Sequence, residues 1–211
     1  MIKVAIVEDH AILRKSLALL IKLLPGLEMT MEAGDGYGFI ENLRKQTLPD
    51  IVLMDISMPN MDGMQTTLWL KQNHPSVKVI ALSMLTNELI LMRMIRNGAR
   101  GYLVKDIEPE ELQKAVNQVY WDGYYYNELF TPGYQALKKT GGMDIGKMLN
   151  EQELVFLKWA CTELSLKQIA AKMDVSPRTV DGYRDALFRK LQVSSRIGIV
   201  LYALNHQIVI L

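Results

Sequence analysis

The stretch that decides the fold lies at residues 51–63, Ile51-Val-Leu-Met-Asp-Ile-Ser-Met-Pro-Asn-Met-Asp-Gly63. Its first four residues are bulky and apolar, which is typical of a strand buried on both faces. The run ends in Asp55, and Pro59 interrupts any continuation of the strand. A segment with helical periodicity then begins at Gly63. The stretch therefore predicts a buried strand, a loop and a helix, in that order.

The same unit recurs on both sides of this stretch. Apolar strand-like runs at residues 2–7, 27–33, 51–54, 77–82 and 101–104 alternate with helical patterns at residues 12–24, 37–44, 63–73, 87–97 and 109–120. Five strands alternating with five helices predict an α/β domain whose parallel sheet is covered on both faces. Because such crossovers are right-handed, a doubly wound five-stranded sheet is the expected topology.

The rest of the chain changes character. From residue 123 to 147 the periodicity is poor and Gly and Pro pairs occur, which predicts a linker with at most a short helical turn near residues 134–138. Helix starts are indicated by Asn150 with Glu153, by Ser165 with Gln168 and by Ser176 before a proline, and a fourth helix is expected from about residue 194. The predicted domains are thus residues 1–122, a linker at 123–147, and a small all-α domain at 148–211.

Composition narrows the class of protein. No run reaches the roughly 20 apolar residues that a membrane helix needs, and the first nine residues lack a signal peptide's cleavage region. Cys161 is the only cysteine, so no intrachain disulfide forms, which favours the cytoplasm. The net charge of +1 hides an asymmetry: residues 1–122 carry 13 basic and 15 acidic side chains, whereas residues 148–211 carry 8 and 6.

Chemically interesting side chains follow the strands of the first domain. Three acids stand at the carboxyl ends of two predicted strands, with a serine and a lysine at the ends of two others: Glu8, Asp9, Asp55, Ser83 and Lys105. In open parallel sheets this edge is where ligands bind. Clustered carboxylates need a counter-charge, and Mg²⁺ with oxygen ligands is the expected one. An aspartate in such a place is able to form an aspartyl phosphate.

These residues, with the motif at 51–63 and Gly101-Tyr-Leu-Val-Lys105, make residues 1–122 resemble the receiver domain of bacterial response regulators. The resemblance implies that Asp55 accepts a phosphoryl group from a sensor histidine kinase. It implies that Glu8, Asp9, Asp55 and the backbone carbonyl of Ser57 hold Mg²⁺. It also implies that Lys105 binds the phosphoryl group and that Ser83 and Tyr102 form a switch pair. Asp106 stands where many receivers have proline after the lysine, so no cis-proline is expected.

Residues 148–205 resemble the NarL/LuxR-type helix-turn-helix domain, whose second helix enters the major groove of promoter DNA. On a wheel of residues 177–190, Val180 and Leu187 lie on the apolar side. The residues expected to contact DNA are Ser165, Lys167, Ser176, Arg178, Thr179, Asp181, Gly182, Arg184, Asp185 and Arg189. A helical domain used only for dimerisation or docking is the alternative.

The second domain departs from the family's commoner pattern at three places. Asp181 and Asp185 stand where lysine is frequent, and a carboxylate accepts a hydrogen bond from cytosine N4 but is repelled by phosphates. Gly182 weakens the isolated helix by about 1 kcal/mol relative to alanine, and either permits close approach to DNA or is a tolerated cost. Glu163 stands where a helix-closing glycine is usual.

Several residues near the predicted sites have simpler interpretations. Asp62 is expected to cap a helix, Cys161 to pack as a small core residue, and His10 is given no role despite its acidic neighbours. The last helix with residues 208–211 is one candidate surface for pairing of the second domains. As an alternative role for an apolar segment, the tyrosine run at residues 124–126 packs the linker against the first domain, and the sequence does not decide between the two.

The sequence thus predicts a phosphorylation-controlled transcriptional regulator that is not an enzyme, beyond self-phosphorylation from a donor and slow dephosphorylation. Phosphorylation is expected to promote homodimerisation and binding to two DNA half-sites, with no membrane involved. Two alternatives stay open. A Mg²⁺-dependent phosphatase of the haloacid-dehalogenase kind would need an acid at the position of Ser57. A phosphorylation-independent regulator would use the first domain only to dimerise.

Overall fold

The computed structural model describes residues 1–84, 88–126, 149–206 and 208–209. The chain separates into two compact units, Met1–Tyr126 and Asn127–Leu211. The predicted turn at residues 134–138 and most of the predicted linker lie outside the described residues. Within the described ranges, no helix is both long and apolar enough to cross a bilayer.

The first unit contains one parallel sheet. Its strands are β1 (Ile2–Val7), β2 (Leu27–Ala33), β3 (Ile51–Asp55), β4 (Lys78–Ser83), β5 (Ala99–Val104) and β6 (Tyr125–Tyr126). They lie in the order β2-β1-β3-β4-β5-β6, so the chain reverses its direction of travel across the sheet after β2. The predicted α/β fold with a doubly wound parallel sheet is confirmed, and β6 adds a short sixth strand to the five predicted ones.

Helices cover both faces of the sheet. They are α1 (Ala11–Leu23), α2 (Gly36–Leu43), α3 (Gly63–Asn73), α4 (Glu88–Arg96) and α5 (Pro109–Asp122). Alternate residues of β1 belong to different cores: Val4 and Ile6 pack with α1 and α5, whereas Ala5 and Val7 pack with α2. Both faces are therefore apolar, which explains why the strands read as continuous hydrophobic runs.

The strand β6 comes from the tyrosine run. Tyr125 and Tyr126 pair with Gly101 and Tyr102 of β5, and the Tyr125 side chain is buried with α5 residues. The Tyr125 hydroxyl donates to Glu111 Oε1 at 3.0 Å, and the Arg100 guanidinium stacks 4.7 Å from the Tyr124 ring centroid. The interpretation in which the tyrosines pack against the first domain is confirmed, and the compact unit extends four residues beyond the predicted boundary at residue 122.

The described part of the second unit is helical. Its helices are α6 (Glu151–Ala160), α7 (Leu166–Met173), α8 (Pro177–Lys190) and α9 (Arg196–Asn205). The predicted capping boxes at Asn150 and Ser165 are both present, and Ser176 caps α8 as expected. Such caps satisfy backbone N–H groups that have no partner within the helix, which is why they mark helix starts in a sequence.

Candidate functional site

The parallel register brings the predicted acidic residues to one edge of the first sheet. Val7 of β1 pairs with Met54 of β3, so Glu8 and Asp55 follow at the same level. Asp55 in turn pairs with Leu82, and Ser83 then ends β4. The Lys105 backbone N–H, just after β5, donates to the Ser83 carbonyl at 2.8 Å. The strand ends therefore collect these side chains as the sequence predicts.

Lys105 links the two most buried carboxylates. Its Nζ lies 2.7 Å from Glu8 Oε2 and 3.0 Å from Asp55 Oδ2. Burial raises the pKa of Asp55, and the negative charge of Glu8 adds to this, while Lys105 opposes both effects. Burial alone would lower the pKa of Lys105, but its hydrogen bonds to the two carboxylates hold that pKa above its ordinary value. The lysine is thus charged at neutral pH and partly compensates two acids.

Asp9 and His10 complete the cluster at its exposed side. The His10 Nδ1 atom lies 2.9 Å from Asp9 Oδ1 and 3.2 Å from Glu8 Oε1. One ligand atom from each of Glu8, Asp9, His10 and Asp55 lies within 4.8 Å of the other three. The three carboxylates and one lysine leave two negative charges, which fits a divalent cation with oxygen ligands. His10 is a neighbour that sequence reasoning set aside, and its position directly after two acids was the available signal.

The remaining predicted residues of this site differ in exposure. The Ser57 backbone N–H donates to Asp55 Oδ1 at 3.3 Å, and the Ser57 side chain is exposed. Ser83 is buried at the end of β4, and Tyr102 is completely buried in β5. Ser57 thus follows β3, Ser83 ends β4 and Tyr102 lies within β5.

Two residues outside the predicted site hold its backbone. The Arg14 Nη1 atom donates to the carbonyl of Glu8, which positions the loop after β1. Gly63 opens α3 directly against β3, and a Cβ built on it would lie 2.0 Å from the Asp55 carbonyl oxygen. Asp62 caps α3 by accepting from the Gln65 N–H at 2.8 Å, so its predicted role as a helix cap is confirmed.

The second unit presents α8 with one apolar and one polar side. Val180 and Leu187 are fully buried, as the helical wheel predicts, and so is Leu191 directly after the helix. The predicted DNA contacts lie at helix starts or on the outer surface. The N-cap residues Ser165 and Ser176 are exposed, as are Lys167 on α7 and Arg178, Thr179, Gly182, Asp185 and Arg189 on α8, while Asp181 and Arg184 are partly exposed. Ser176 also accepts from the Thr179 N–H at 3.1 Å, so its hydroxyl serves as the cap of α8.

Arg184 lies between the two aspartates of this surface. Its Nη1 atom is 2.9 Å from Asp181 Oδ1, and its Nε and Nη2 atoms are both 3.0 Å from Asp185 Oδ1. Gly182 lies in the same helix, where glycine costs about 1 kcal/mol relative to alanine. A Cβ at Gly182 would meet no atom of the described residues within 4 Å. Packing within this unit therefore does not account for the glycine.

The chain leaves α6 at Cys161, and Glu163 follows two residues later. Arg196 donates from Nε to the Ala160 carbonyl at 2.8 Å and from Nη2 to the Thr162 carbonyl at 2.7 Å. Glu163 is absent from the described non-glycine residues with positive φ, which are Asn60, Asp174 and Gln192. A closing glycine is thus not needed there.

Cys161 is buried, as predicted, and burial raises the pKa of its thiol to about 12.

Comparison with known proteins agrees with this architecture. Residues 4–117 match the family described as "Response regulator receiver domain", and residues 147–203 match "Bacterial regulatory proteins, luxR family". The oxygen regulatory protein NreC of Staphylococcus aureus (strain MRSA252) is 30% identical, over 98% of each chain. The nitrate/nitrite response regulator protein NarL of Escherichia coli (strain K12) is 29% identical, over 97% of this chain and 96% of that protein.

A solved structure is also similar to the first unit. The isolated receiver domain of RcsB from Salmonella enterica serovar Typhimurium, in the presence of phosphomimetic BeF₃⁻, is 26% identical with a TM-score of 0.55. The similarity covers 60% of this chain and 94% of that structure. The two units are thus the receiver domain and the LuxR-type domain that the sequence predicted. The chain therefore belongs to the two-component response regulators that join a receiver domain to a LuxR-type DNA-binding domain and act as transcriptional regulators.

Proposed function

We propose that Asp55 is the phospho-acceptor of this regulator and that its phosphorylation controls binding to promoter DNA. The observation that carries the proposal is the contact of Lys105 with both Glu8 and Asp55, 2.7 and 3.0 Å away. A lysine held between two carboxylates is already positioned to bind the oxygens of a phosphoryl group bound to one of them. The phosphomimetic used with the related RcsB receiver supports the same assignment.

The proposed reaction is transfer from a phosphorylated histidine of a sensor kinase. A carboxylate oxygen of Asp55 forms a bond to phosphorus, the bond from phosphorus to the histidine nitrogen breaks, and that nitrogen takes up a proton. Glu8, Asp9, Asp55 and the Ser57 backbone carbonyl would hold Mg²⁺. When bound, Mg²⁺ supplies positive charge that stabilises the phosphoryl oxygens during transfer. Water later hydrolyses the acyl phosphate slowly, so the protein turns over no free substrate.

The switch follows from the added charge. Phosphorylation brings roughly −1.5 to −2 charges to the Asp55 side chain at pH 7. Lys105 and the Ser83 hydroxyl bind the new oxygens, and Tyr102 adjusts with Ser83. This favours one of two preexisting receiver states, and the favoured state forms a homodimer that binds two half-sites of double-stranded promoter DNA in the cytoplasm.

Intact-mass measurement after incubation with Mg²⁺ and acetyl phosphate tests the acceptor. The wild type is expected to gain one phosphoryl group and Asp55→Asn none. Asp106→Asn makes the same change of charge at an exposed position outside the cluster, and is expected to gain the group normally. A wild type that gains no mass, or an Asp55→Asn variant that gains it at the wild-type rate, would contradict the assignment.

The same samples test the control of DNA binding. Sedimentation is expected to detect a dimer after phosphorylation of the wild type but not of Asp55→Asn, and DNA affinity should rise in parallel. A mass gain without change in either property would support a regulator that works independently of phosphorylation. Release of many phosphate molecules per protein from free phosphate esters would instead favour the phosphatase.

A further inference from the structure

The outer surface of α8 combines two features that the fold does not require. Gly182 occupies the interior of a helix, although no described atom lies within 4 Å of the position its Cβ would take. By contrast, a Cβ on Gly198 would lie 2.7 Å from Val193 Cβ, so that glycine is needed for packing of α9. At Gly182 the absence of a side chain therefore costs helix stability without any gain inside the domain. A gain outside the domain, on binding, is the remaining physical reason.

Two carboxylates flank this bare position. The side chains of Asp181 and Asp185 are 50% and 60% exposed, and both use Oδ1 for their contacts with Arg184. Asp185 lies four residues after Asp181, which is about 6 Å along the helix axis. Around the helix the two carboxylates lie on one side of Gly182, about 40° apart, and along the axis they are separated by roughly one turn. Arg184 restrains both side chains and neutralises one of the two negative charges.

A surface of this kind is poorly suited to phosphates and well suited to base edges. Carboxylates are repelled by the DNA backbone, but they accept hydrogen bonds from amino groups in the major groove, above all cytosine N4. The arginines needed for phosphate contacts lie further along the same helix, because Arg178 and Arg189 are exposed near its two ends. A helix without a side chain at its closest point of approach is able to bring short aspartates within hydrogen-bonding distance of the bases.

We propose that Asp181 and Asp185 read base amino groups, cytosine N4 foremost, with Gly182 as the point of closest approach and Arg184 as the positioning residue. This inference rests on the proposed binding of promoter DNA by α8. It goes further by naming which residues set the sequence preference and which bases they select.

Selection of bound duplexes from a random library, with full-length protein treated with Mg²⁺ and acetyl phosphate, tests the base preference. The wild type is expected to select cytosine at defined positions of each half-site. Asp185→Asn should change one of these positions to adenine, because asparagine pairs with adenine N6 and N7. Asp174→Asn removes the same charge in an exposed turn residue away from this surface, and should leave the selected sequence unchanged. Selected sequences that are identical for the wild type, Asp181→Asn and Asp185→Asn would overturn the proposal.

Gly182→Ala separates stability from recognition. Alanine is expected to raise the Tm of the DNA-binding domain by about 4 °C, because it favours the helix. It should also weaken binding to the selected duplex by about tenfold, a loss typical of one disturbed base contact. A higher Tm with unchanged affinity would overturn the role of Gly182. Arg184→Met should blur the preference at both positions without loss of the fold, whereas Arg184→Lys should largely retain it.

The failure of this inference is distinguishable from the failure of the proposed function. If the wild type recovers no preferred duplex at all, promoter binding itself is contradicted, and the base assignments fall with it. If the wild type selects a sequence that the aspartate variants also select, DNA binding stands and only the assignment of Asp181 and Asp185 is wrong.

Discussion

The Lys105 ammonium group lies 2.7 Å from Glu8 Oε2, on a carboxylate that is completely inaccessible to solvent. A buried carboxylate without a cation beside it is strongly unfavourable, so this pair stabilises the receiver as well as serving its chemistry. The same lysine contacts Asp55 Oδ2 at 3.0 Å. Its removal would leave two carboxylates, with oxygens within 4.8 Å of each other, and no buried positive charge beside them.

Lys105→Met is therefore expected to destabilise the receiver by about 3 kcal/mol in the absence of divalent ions. Because Mg²⁺ would then supply the missing positive charge, its addition should raise the Tm of this variant more than that of the wild type. Thermal unfolding with and without Mg²⁺ measures both effects. Lys22→Met, at an exposed position of α1, serves as the control and should change neither the stability of the receiver nor the shift in Tm on addition of Mg²⁺. Equal Tm shifts in the variant and the wild type would argue against a cation site next to Lys105.

Gly63→Ala is expected to damage the site through its backbone. The new Cβ would lie 2.0 Å from the Asp55 carbonyl oxygen and 2.9 Å from Ile56 Cα, so α3 must move away from β3. We expect a loss of about 2 kcal/mol in the free energy of unfolding and slower phosphorylation. Chemical denaturation and intact-mass kinetics measure the two effects. Gly38→Ala in α2 is the matched control, since its closest contact would be an ordinary 3.4 Å; it should be at least as stable as the wild type and be phosphorylated at the wild-type rate.

Asp174 is the turn residue between α7 and α8 and has left-handed backbone angles, with φ 54° and ψ 46°. Most side chains are strained there, whereas glycine and asparagine tolerate it. Asp174→Gly should leave the domain about as stable as the wild type. Asp174→Val should lower its free energy of unfolding by roughly 1–2 kcal/mol. Urea titration distinguishes the two, and Lys172→Val in α7 controls for the intrinsic helix preference of valine. Equal stability of the glycine and valine variants would contradict the claim that a branched side chain is strained by the left-handed backbone at residue 174.

Glu153 couples the stability of the DNA-binding domain to pH. Burial alone would raise the pKa of Glu153, but Lys190 Nζ at 2.7 Å and the Asn150 N–H together hold it below its ordinary value. Because the folded pKa lies below the unfolded one, the stabilisation is complete above about pH 4.3 and is lost as the pH falls through the lower folded value.

Unfolding followed by the fluorescence of Trp159 in α6, in a protein that also carries Trp69→Phe and Trp121→Phe, should therefore detect an acid-induced loss of stability from pH 7 to pH 3. In Glu153→Gln the stability at neutral pH should be lower and the acid-induced loss smaller. Glu151→Gln, an exposed neighbour in the same helix, should retain the wild-type profile. A Glu153→Gln profile parallel to that of the wild type would show that another group is responsible.

The sequence predicted those parts of the fold in which a local residue pattern also determines which distant segments come together. Continuous apolar runs alternating with helical patterns identified the strands, two of which end in acids, and a parallel sheet necessarily brings such strand ends together. Capping residues such as Asn150 and Ser176 marked the helix starts because their side chains replace missing backbone partners. The acidic cluster around Asp55 was predictable for these two reasons combined.

Other features were not predictable, either because they join segments far apart in the chain or because they depend on side-chain rotamers. Arg196 donates to the carbonyls of Ala160 and Thr162 at the end of α6, 36 and 34 residues earlier in the chain, and nothing local near Glu163 indicates this contact. The restraint of Asp181 and Asp185 by Arg184 depends on side-chain rotamers rather than on spacing alone.

The short strand β6 has a consequence for how this receiver meets other chains. Without Tyr125 and Tyr126, β5 would be the outermost strand, and its unpaired N–H and C=O groups would be open to strand addition by a second molecule. A receiver that ends at Asp122 should therefore self-associate as its concentration rises, whereas one that ends at Tyr126 should stay dispersed in light scattering. The two residues of β6, which follow α5, thus protect this edge of the sheet from pairing with a strand of a second molecule.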